Sequence, residues 1–477
     1  MTRPKEKRIV SRESRTRPGG RQRAAQPAVA GRRTTFAEVF GIAEFRALWL
    51  AQVLSVAGDQ LARVALTLLV FEQTRSSLLA AITFAASVVP VFVGGFTLAG
   101  LADRWPRRRV MMVCDLGSAL LVGLMALPAM PIAARVSLLV LVTMISAPFI
   151  SARAALYPDI LDGDRYVLGT AVTLTTIQFA QVLGFALGGA VVAFVGARAA
   201  LLADAATFVL SAGIVRLWVR ARPAARAGRP GTRAGRPGTR AGRPGTRAGR
   251  PPGGLEHSAQ GPEHSAAGPV QSGTGLTAGL RLVFGTPALL FPMLLGWLAA
   301  FYNVPEGVAA PLAHSLGGGD VAVGLILAAG AFGAAAGAVL FSRLARPQQR
   351  LRWMGPLAVA SCAVLGLFVF HPALPWALLV LTISGLCASY QLPANAAFVQ
   401  AVPPEQRSQA FGIAQGGMSL GQGAAMILAG AAAGQFTSSL VIAVGAAIGT
   451  VAASVIVLAR SSAQPGNQPR VHRAVKR

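Results

Sequence analysis

Long uncharged stretches dominate the pattern of hydrophobic and polar positions along this chain. Residues 78–101 and 167–197, for example, contain no charged side chain. A helix of about 20 apolar residues is long enough to cross a bilayer. Counting blocks of this kind gives about twelve predicted spans, in two groups of six.

We number these spans one to twelve in chain order. The first six are predicted at 45–71, 77–101, 109–129, 136–157, 168–195 and 198–219, and the second six at 285–312, 319–343, 352–370, 374–398, 408–434 and 437–459. The sequence ARAAL at 152–156, which ends span four, is similar to ANAAF at 394–398, which ends span ten. We therefore expect an all-α integral membrane protein built from two pseudo-symmetric six-helix bundles, with the substrate route between them.

A polar segment with tandem RAGRPGT repeats separates the two groups of spans. Gly, Pro and Arg at this density cannot bury a core, so we expect a disordered linker. The predicted organisation is a basic disordered cytoplasmic N-terminus at 1–44, a six-helix bundle at 45–219, the linker at 220–276, a second bundle at 277–460 and a basic cytoplasmic tail at 461–477.

Charge supports the membrane assignment and predicts an orientation. Only 13% of the residues are charged, about half the share usual in soluble proteins. The net charge of +27 comes from the two termini, the linker and loops on one side, such as Arg107–Arg109. Cytoplasmic loops of membrane proteins carry this excess of Arg and Lys, so we expect a plasma-membrane protein with both termini in the cytoplasm. The basic segments have no interleaved aromatic residues, which argues against nucleic-acid binding.

The remaining composition excludes several enzyme classes. Lysine occurs only at Lys5, Lys7 and Lys476, so the chain has no P-loop for ATP. The three cysteines are scattered through apolar stretches without metal-ligand spacing, and no nucleophile elbow is present. We expect no enzymatic activity, no metal and no cofactor.

The loop after span two carries the most specific motif. Residues 99–109 read AGLADRWPRRR, which resembles the signature loop of the major facilitator superfamily, although Ala99 and Pro106 replace two of its glycines. Looser matches resemble the enterobactin-exporter and macrolide-efflux branch: GD at 58–59, LYPDI at 156–160, ADAATF at 203–208 and VPPEQR at 402–407. This resemblance implies a transporter that works by alternating access.

The resemblance also implies a conformational latch in that loop. The family's Asp and Arg at these motif positions hold the two halves together, which assigns the role to Asp103 and Arg107. Arg153 or Asp159, near the next turn on the same side, is a candidate to complete the network. The alternative is that these arginines only anchor the topology.

Ionisable residues within the predicted spans are the candidates for coupling to an ion. Asp59 lies near the middle of span one, and Arg63 follows at i+4 on the same face. Asp204 in span six and Glu306 in span seven are the other candidates. Burial favours the protonated form of a carboxylate, which suits a proton carrier. A static structural pair of Asp59 with Arg63 is the alternative.

Two further patterns leave a functional and a packing interpretation open. Tyr390, Gln391 and Asn395 form a polar stripe in span ten that either lines a substrate cavity or makes hydrogen bonds between helices. The sequence GFALGG at 184–189 resembles the antiporter motif of the superfamily's exporters with Phe185 in place of proline. Small residues four apart recur at 333–337 and 430–434, which favours simple helix packing.

The sequence therefore predicts a secondary active transporter, exporting a small amphipathic compound such as a drug or siderophore in exchange for protons. The expected partners are a small-molecule substrate, protons and the lipid bilayer, with the chain acting as a monomer. An importer or facilitator on the same fold is one alternative. A membrane scaffold that binds anionic lipid through its basic segments is another.

Overall fold

The computed structural model describes residues 35–98, 105–222, 276–344, 346–403 and 406–462, and these residues form helices without any strand. Most of the predicted linker, the predicted tail and the motif residues 99–104 lie outside the described residues. Short helices at Phe36–Phe40 and Leu276–Gly285 precede the two groups of spans.

The first bundle contains six spans. Their helices are Ala43–Thr74 (span one), Ser77–Ala86 and Val89–Thr97 (span two), Arg107–Met125 (span three), Ile132–Ile160 (span four) and Asp164–Trp218 (spans five and six). Gly196 divides the last of these helices, because its φ of 83° and ψ of 159° are not helical. A positive φ is readily accessible to glycine alone, so the chain turns here from span five into span six.

The second bundle repeats this pattern with more interruptions. Its helices are Pro287–Trp297, Ala299–Tyr302, Val304–Gly307 and Ala309–Ser315 (span seven), Gly319–Leu344 (span eight), Pro347–Ala363 continued by the 3₁₀ helix Val364–Phe370 (span nine), Leu374–Cys387, Ala388–Tyr390 and Gln391–Ala401 (span ten), Arg407–Ala432 (span eleven) and Ser438–Ser462 (span twelve).

These helices account for the twelve predicted spans. Among the described residues, nine helical segments are long and apolar enough to cross a membrane. One of the nine is Asp164–Trp218, which spans the bilayer twice, and the helices of spans three and eleven complete the set. Large apolar side chains such as Phe194, Leu344 and Leu428 are exposed on the helix surfaces, as expected where lipid takes the place of water.

The two bundles meet at one end of the molecule, which we call the closed face. It carries the connections between spans one and two, three and four, five and six, and their counterparts in the second bundle. The ring of Phe71 packs edge-on against His314, with the ring centroids 6.1 Å apart. Ser77 Oγ donates a hydrogen bond of 3.5 Å to the carbonyl oxygen of Ala433. One hydrophobic core near this face contains buried residues of both bundles, Leu66 and Leu312 among them.

Small residues allow the backbones of the two bundles to touch at the closed face. A Cβ added to Gly189 of span five would lie 2.9 Å from the Cα of Gly324 in span eight. In bilayers, close backbone approach of this kind is a principal source of attraction between helices. Gly430 of span eleven is packed in the same way against Ala81 and the Ser77 carbonyl of span two.

Toward the opposite end, which we call the open face, the described residues form separate cores. One cluster, including Phe45, Met111 and Leu156, contains residues of the first bundle alone. Another, including Leu289 and Phe398, contains residues of the second bundle alone. The closed face therefore joins the two bundles through a shared core, whereas these two cores near the open face each belong to a single bundle.

Candidate functional site

The centre of the molecule contains an arginine that faces charges from both bundles. Arg63 lies on span one and its Nη1 donates a hydrogen bond of 3.3 Å to Oε1 of Gln60. Arg63 interacts electrostatically with Asp59 on its own helix and with Glu306 of the second bundle. Four ion pairs are present among the described residues, and a pair of Asp59 with Arg63 is not one of them. Arg63 thus interacts electrostatically with a carboxylate of each bundle, and neither of these interactions is one of the four ion pairs of the described residues.

Glu306 lies where span seven is interrupted. The four short helices of this span are separated at Leu298, Asn303 and Val308, and Glu306 belongs to the four-residue helix Val304–Gly307. An interrupted helix leaves backbone N–H and C=O groups without intrahelical hydrogen bonds. Such groups occur within a membrane only where they line a cavity or are buried in protein. Discontinuous helices near mid-membrane are a recurrent feature of transporter binding sites.

A cavity of about 50 Å³ lies inside the first bundle beside Arg63. This volume is sufficient for a few water molecules. Its polar lining consists of Ser55, Asp59, Arg63, Ser87, Asp115, Ser118, Thr143, Ser146 and Asp204. Three carboxylates, contributed by spans one, three and six, therefore share one cavity with a single arginine.

Asp204 is held in place by its own helix and by span one. It is 1% exposed, and its Oδ1 accepts a hydrogen bond of 3.3 Å from Oγ1 of Thr207. Gly58, which precedes Asp59, packs directly against this carboxylate. The structure therefore brings the predicted candidates Asp59, Arg63 and Asp204 to one place.

Asp115 is the member of this group that the sequence analysis missed. It is 2% exposed, and its Oδ2 accepts a hydrogen bond of 2.7 Å from Oγ of Ser211 in span six. The signal was present in the sequence, because Asp115 is an ionisable residue within predicted span three.

Arg153 of span four is placed differently from the other candidates. Its side chain is buried, and its Nε and Nη1 have no hydrogen-bond partner. It takes part in none of the ion pairs that the described residues form. Among the described residues, Arg153 therefore forms no ion pair with Asp159.

The polar stripe of span ten contacts span seven. The Tyr390 hydroxyl is fully buried and donates a hydrogen bond of 2.9 Å to the Leu295 carbonyl. Nε2 of Gln391 donates to the hydroxyl of Tyr302. Asn395, one turn further along, is half-buried. Two of the three stripe residues thus make hydrogen bonds between helices, next to the interruption that carries Glu306.

Near the open face, an ion pair joins spans three and four. Arg107 Nη1 lies 2.5 Å from Oδ2 of Asp159 and also donates a hydrogen bond of 2.7 Å to the Ala155 carbonyl. Asp103 lies outside the described residues, so its predicted role as a latch stays a prediction. One charged residue of the motif, Arg107, is nevertheless paired with a residue of span four.

Comparison with known families identifies this arrangement. The family model described as Major Facilitator Superfamily matches residues 48–400 and 306–476. The chain belongs to the major facilitator superfamily. Membership makes it a membrane-embedded secondary transporter of a small molecule, not an enzyme.

Solved structures of several transporters have a similar fold. A POT family transporter in complex with 5-aminolevulinic acid gives a TM-score of 0.63 at 10% identity, covering 88% of this chain and 96% of that chain. The nucleoside transporter NupG gives 0.57 at 14% identity, covering 86% of this chain and 98% of that one. A bacterial homologue of the iron transporter ferroportin gives 0.58 at 15% identity, covering 89% and 99%. These likenesses concern the fold alone, and no curated protein sequence matches the chain.

Proposed function

We propose that this superfamily member is a proton-coupled exporter of a small amphipathic compound, such as a drug, a siderophore or a similar metabolite. The enterobactin-exporter and macrolide-efflux branch that the sequence resembles is the branch to which we assign it. We place it in the plasma membrane as a monomer with both termini in the cytoplasm. The open face is then the cytoplasmic side, where an exported compound enters.

The carboxylate cavity of the first bundle is the observation that carries this proposal. Asp59, Asp115 and Asp204 share a space large enough for water, deep within the spans. Carboxylates inside a membrane are costly and are therefore usually functional. Water and hydroxyl groups between them give a proton several places to bind and a path between them.

Arg63 supports a link between proton binding and movement of the bundles. It interacts electrostatically with Asp59 on its own helix and with Glu306 on the other bundle. When the bundles move relative to each other, the charges around Asp59 change, and its proton affinity changes with them. Alternating access then lets Asp59 take up a proton on one side and release it on the other. Asp204 and Glu306 are the other proton-coupling residues that we propose.

The latch proposal concerns the open face. The ion pair of Arg107 with Asp159 supports a network that fixes spans three and four, to which Asp103 is proposed to add a contact between the bundles.

For the substrate cavity, the hydrogen bonds of Tyr390 and Gln391 with span seven support a role in positioning the interrupted helix. Asn395, on the same stripe, is the remaining candidate for direct contact with the compound.

A panel of compounds tests this function most broadly. Cells with and without the protein are loaded with lipophilic drugs, siderophores and fluorescent amphipathic dyes, and efflux is followed with and without a protonophore. The proposal predicts that the protein accelerates the efflux of at least one compound and that the protonophore removes this acceleration. Protein-dependent accumulation would instead favour an importer, and efflux that is indifferent to the protonophore would favour a facilitator.

A further inference from the structure

Two carboxylates of the first-bundle cavity, Asp115 and Asp59, lie at different depths. Span three begins at Arg107 on the side of the open face, and Asp115 follows eight residues later, about 12 Å deep. Asp59 lies sixteen residues after the start of span one at Ala43, about 24 Å deep. Asp115 is therefore the nearer of the two to the open face.

Span six gives the same order, because it contacts the surroundings of both carboxylates. It ends on the side of the open face, seven residues after Ser211 and fourteen residues after Asp204, which gives depths of about 11 and 21 Å. Ser211 donates its 2.7 Å hydrogen bond to Asp115. Asp204 packs against Gly58, the neighbour of Asp59. Counts along different helices thus agree to within about 2 Å at each contact.

Hydroxyl groups lie at the depths between the two carboxylates. Ser118 of span three and Ser55 of span one both line the cavity, about 17 and 18 Å deep. A hydroxyl group can donate one hydrogen bond while it accepts another. The cavity volume of about 50 Å³ is sufficient for a few water molecules as well. Groups that can pass on a proton therefore lie between Asp59 and Asp115.

The charges of the cavity favour one proton shared between two sites. Asp59 interacts electrostatically with Asp115 and with Arg63. Two carboxylates in one buried cavity disfavour each other's ionised form, so a proton on one of them allows the other to ionise. Arg63 stabilises the ionised form of Asp59, which leaves the proton to Asp115. The hydrogen bond from Ser211 uses Oδ2 of Asp115 and leaves Oδ1 for this proton.

We propose that Asp115 is the residue through which Asp59 exchanges protons with the open side. The Asp59 carboxylic acid gives its proton to the hydroxyl groups and water of the cavity, and the Asp115 carboxylate takes a proton from them. Asp59 is then a carboxylate beside Arg63 and Asp115 is a carboxylic acid, so the total charge of the cavity is unchanged. The proton leaves for the open side from Asp115. This inference rests on the proposed proton-coupled transport and adds a second proton site to it.

Infrared difference spectroscopy of the purified full-length protein in lipid nanodiscs tests whether Asp115 binds a proton. Spectra are compared between about pH 9 and about pH 5.5, where carboxylates with ordinary pKa values of about 4 stay mostly ionised. A carboxylic-acid C=O band that forms in this range reports a buried site. Asp115→Asn should remove one such band, Asp115→Glu should shift it and Asp59→Asn should retain it. Asp162→Asn, whose carboxylate is exposed outside the cavity, is the control and should give the wild-type spectrum.

Proton movement in proteoliposomes tests whether the path runs through Asp115. A fluorescent dye of the efflux panel is the transported probe, and a pH indicator inside the vesicles reports the protons that move with it. Asp115→Asn keeps the shape of the side chain and an acceptor for Ser211, but it cannot carry the proton. We expect proton-driven dye transport to slow about tenfold or more, while downhill dye exchange stays within about twofold of the wild type. A purely structural role would slow both processes, and Asp115→Glu should recover most of the lost rate.

Three results would overturn the proposal: no carboxylic-acid band that Asp115→Asn removes, proton-driven transport at the wild-type rate in Asp115→Asn, or an equal loss of downhill exchange. If Asp115→Asn does not fold, Asp115→Glu decides, and an unshifted band in that variant overturns the proposal. Wild-type protein that moves no protons with any dye would refute the proposed transport function instead. The infrared test needs no transported compound, so it distinguishes the two failures.

Discussion

Gly58 of span one lies directly against the carboxylate of Asp204 in span six. A Cβ added at Gly58 would overlap Oδ1 of Asp204 and Oγ1 of Thr207, and it would lie 3.3 Å from the Asp204 carboxyl carbon. Span one can approach span six this closely only because residue 58 has no side chain. The contact sets the distance between the helices that carry Asp59 and Asp204, two of the three carboxylates of the cavity.

Gly58→Ala should therefore damage the cavity. The added methyl group must displace the buried Asp204 side chain, and overpacking of this kind costs about 1–3 kcal/mol. We expect a lower unfolding temperature in detergent and a loss of transport beyond the loss of folded protein. The double variant Gly58→Ala/Asp204→Ala should regain stability without regaining transport. Gly117→Ala in span three is the control, since a Cβ there meets nothing within 4 Å. A Gly58→Ala protein as stable and active as this control would contradict the contact.

The ion pair of Arg107 with Asp159 should affect rate more than stability. Its side chains are 21% and 42% exposed, and exposed pairs contribute only about 0–1 kcal/mol. A shift of about 1 kcal/mol between two conformations still changes their ratio about fivefold. Arg107→Gln and Asp159→Asn should therefore change turnover a few-fold with little effect on substrate affinity, and exchanging the two charges should restore it in part. Arg165→Gln, which breaks the looser contact with Glu38, is the control. Unchanged turnover in both single variants would refute the latch.

The closed face must open during each transport cycle. Ser77 and Ala433, which are joined by a 3.5 Å hydrogen bond across the bundles, are positions where a cross-link should prevent this. We expect oxidation of Ser77→Cys/Ala433→Cys to stop transport and a reducing agent to restore it. The native residues Cys114, Cys362 and Cys387 are buried, and the two single-cysteine variants, oxidised in the same way, control for them. Full transport by a cross-linked protein would mean that this face stays shut throughout the cycle.

Arg135 is predicted to stabilise the fold without taking part in transport. It is 1% exposed and donates hydrogen bonds of 3.1 and 3.0 Å to the carbonyls of Met125 and Leu127 at the end of span three. A third bond of 3.2 Å reaches Oε1 of Gln73. Arg135→Gln leaves buried acceptors without donors, which should cost about 1–3 kcal/mol of unfolding free energy. Transport per folded molecule should equal that of the wild type. The control is Arg198→Gln, whose arginine is exposed at the same face and whose transport should also equal that of the wild type. A specific transport defect would give Arg135 a role in the cycle.

Hydropathy predicted the spans well because each must bury its backbone polar groups in a helix to cross lipid. The packing interpretation of Gly333 is also confirmed, since a Cβ there would lie 3.0 Å from the Leu386 amide nitrogen of span ten. The break of span seven around Glu306 was missed. Pro305 is visible in the sequence, but membrane helices accommodate proline when neighbouring helices satisfy the freed groups.

The partners of individual residues were harder to predict than the spans. The i+4 spacing of Asp59 and Arg63 indicated a local pair, whereas in the structure Arg63 also faces Glu306, which lies 243 positions later in the sequence. Spans that are apolar on every side give no periodic signal for the face that meets another helix. For the same reason, the sequence shows neither that Asp115 and Asp204 share a cavity nor which face is closed.

Proteoliposomes test whether a proton gradient drives transport through Asp59. A compound found in the efflux panel is followed across the membrane with an imposed pH gradient, with and without a protonophore. The wild type, Asp59→Asn, Asp115→Asn and Asp204→Asn are compared, with the exposed Asp162→Asn as the control. Downhill exchange of labelled against unlabelled compound is measured in parallel on each variant.

We predict that the wild type and Asp162→Asn concentrate the compound and that the protonophore abolishes this accumulation. Asp59→Asn should lose concentrative transport while downhill exchange survives, because exchange needs alternating access but no net proton movement. Asp59→Asn protein that still concentrates the compound in a protonophore-sensitive way would contradict the role of Asp59. Wild-type transport that ignores the protonophore would contradict proton coupling itself.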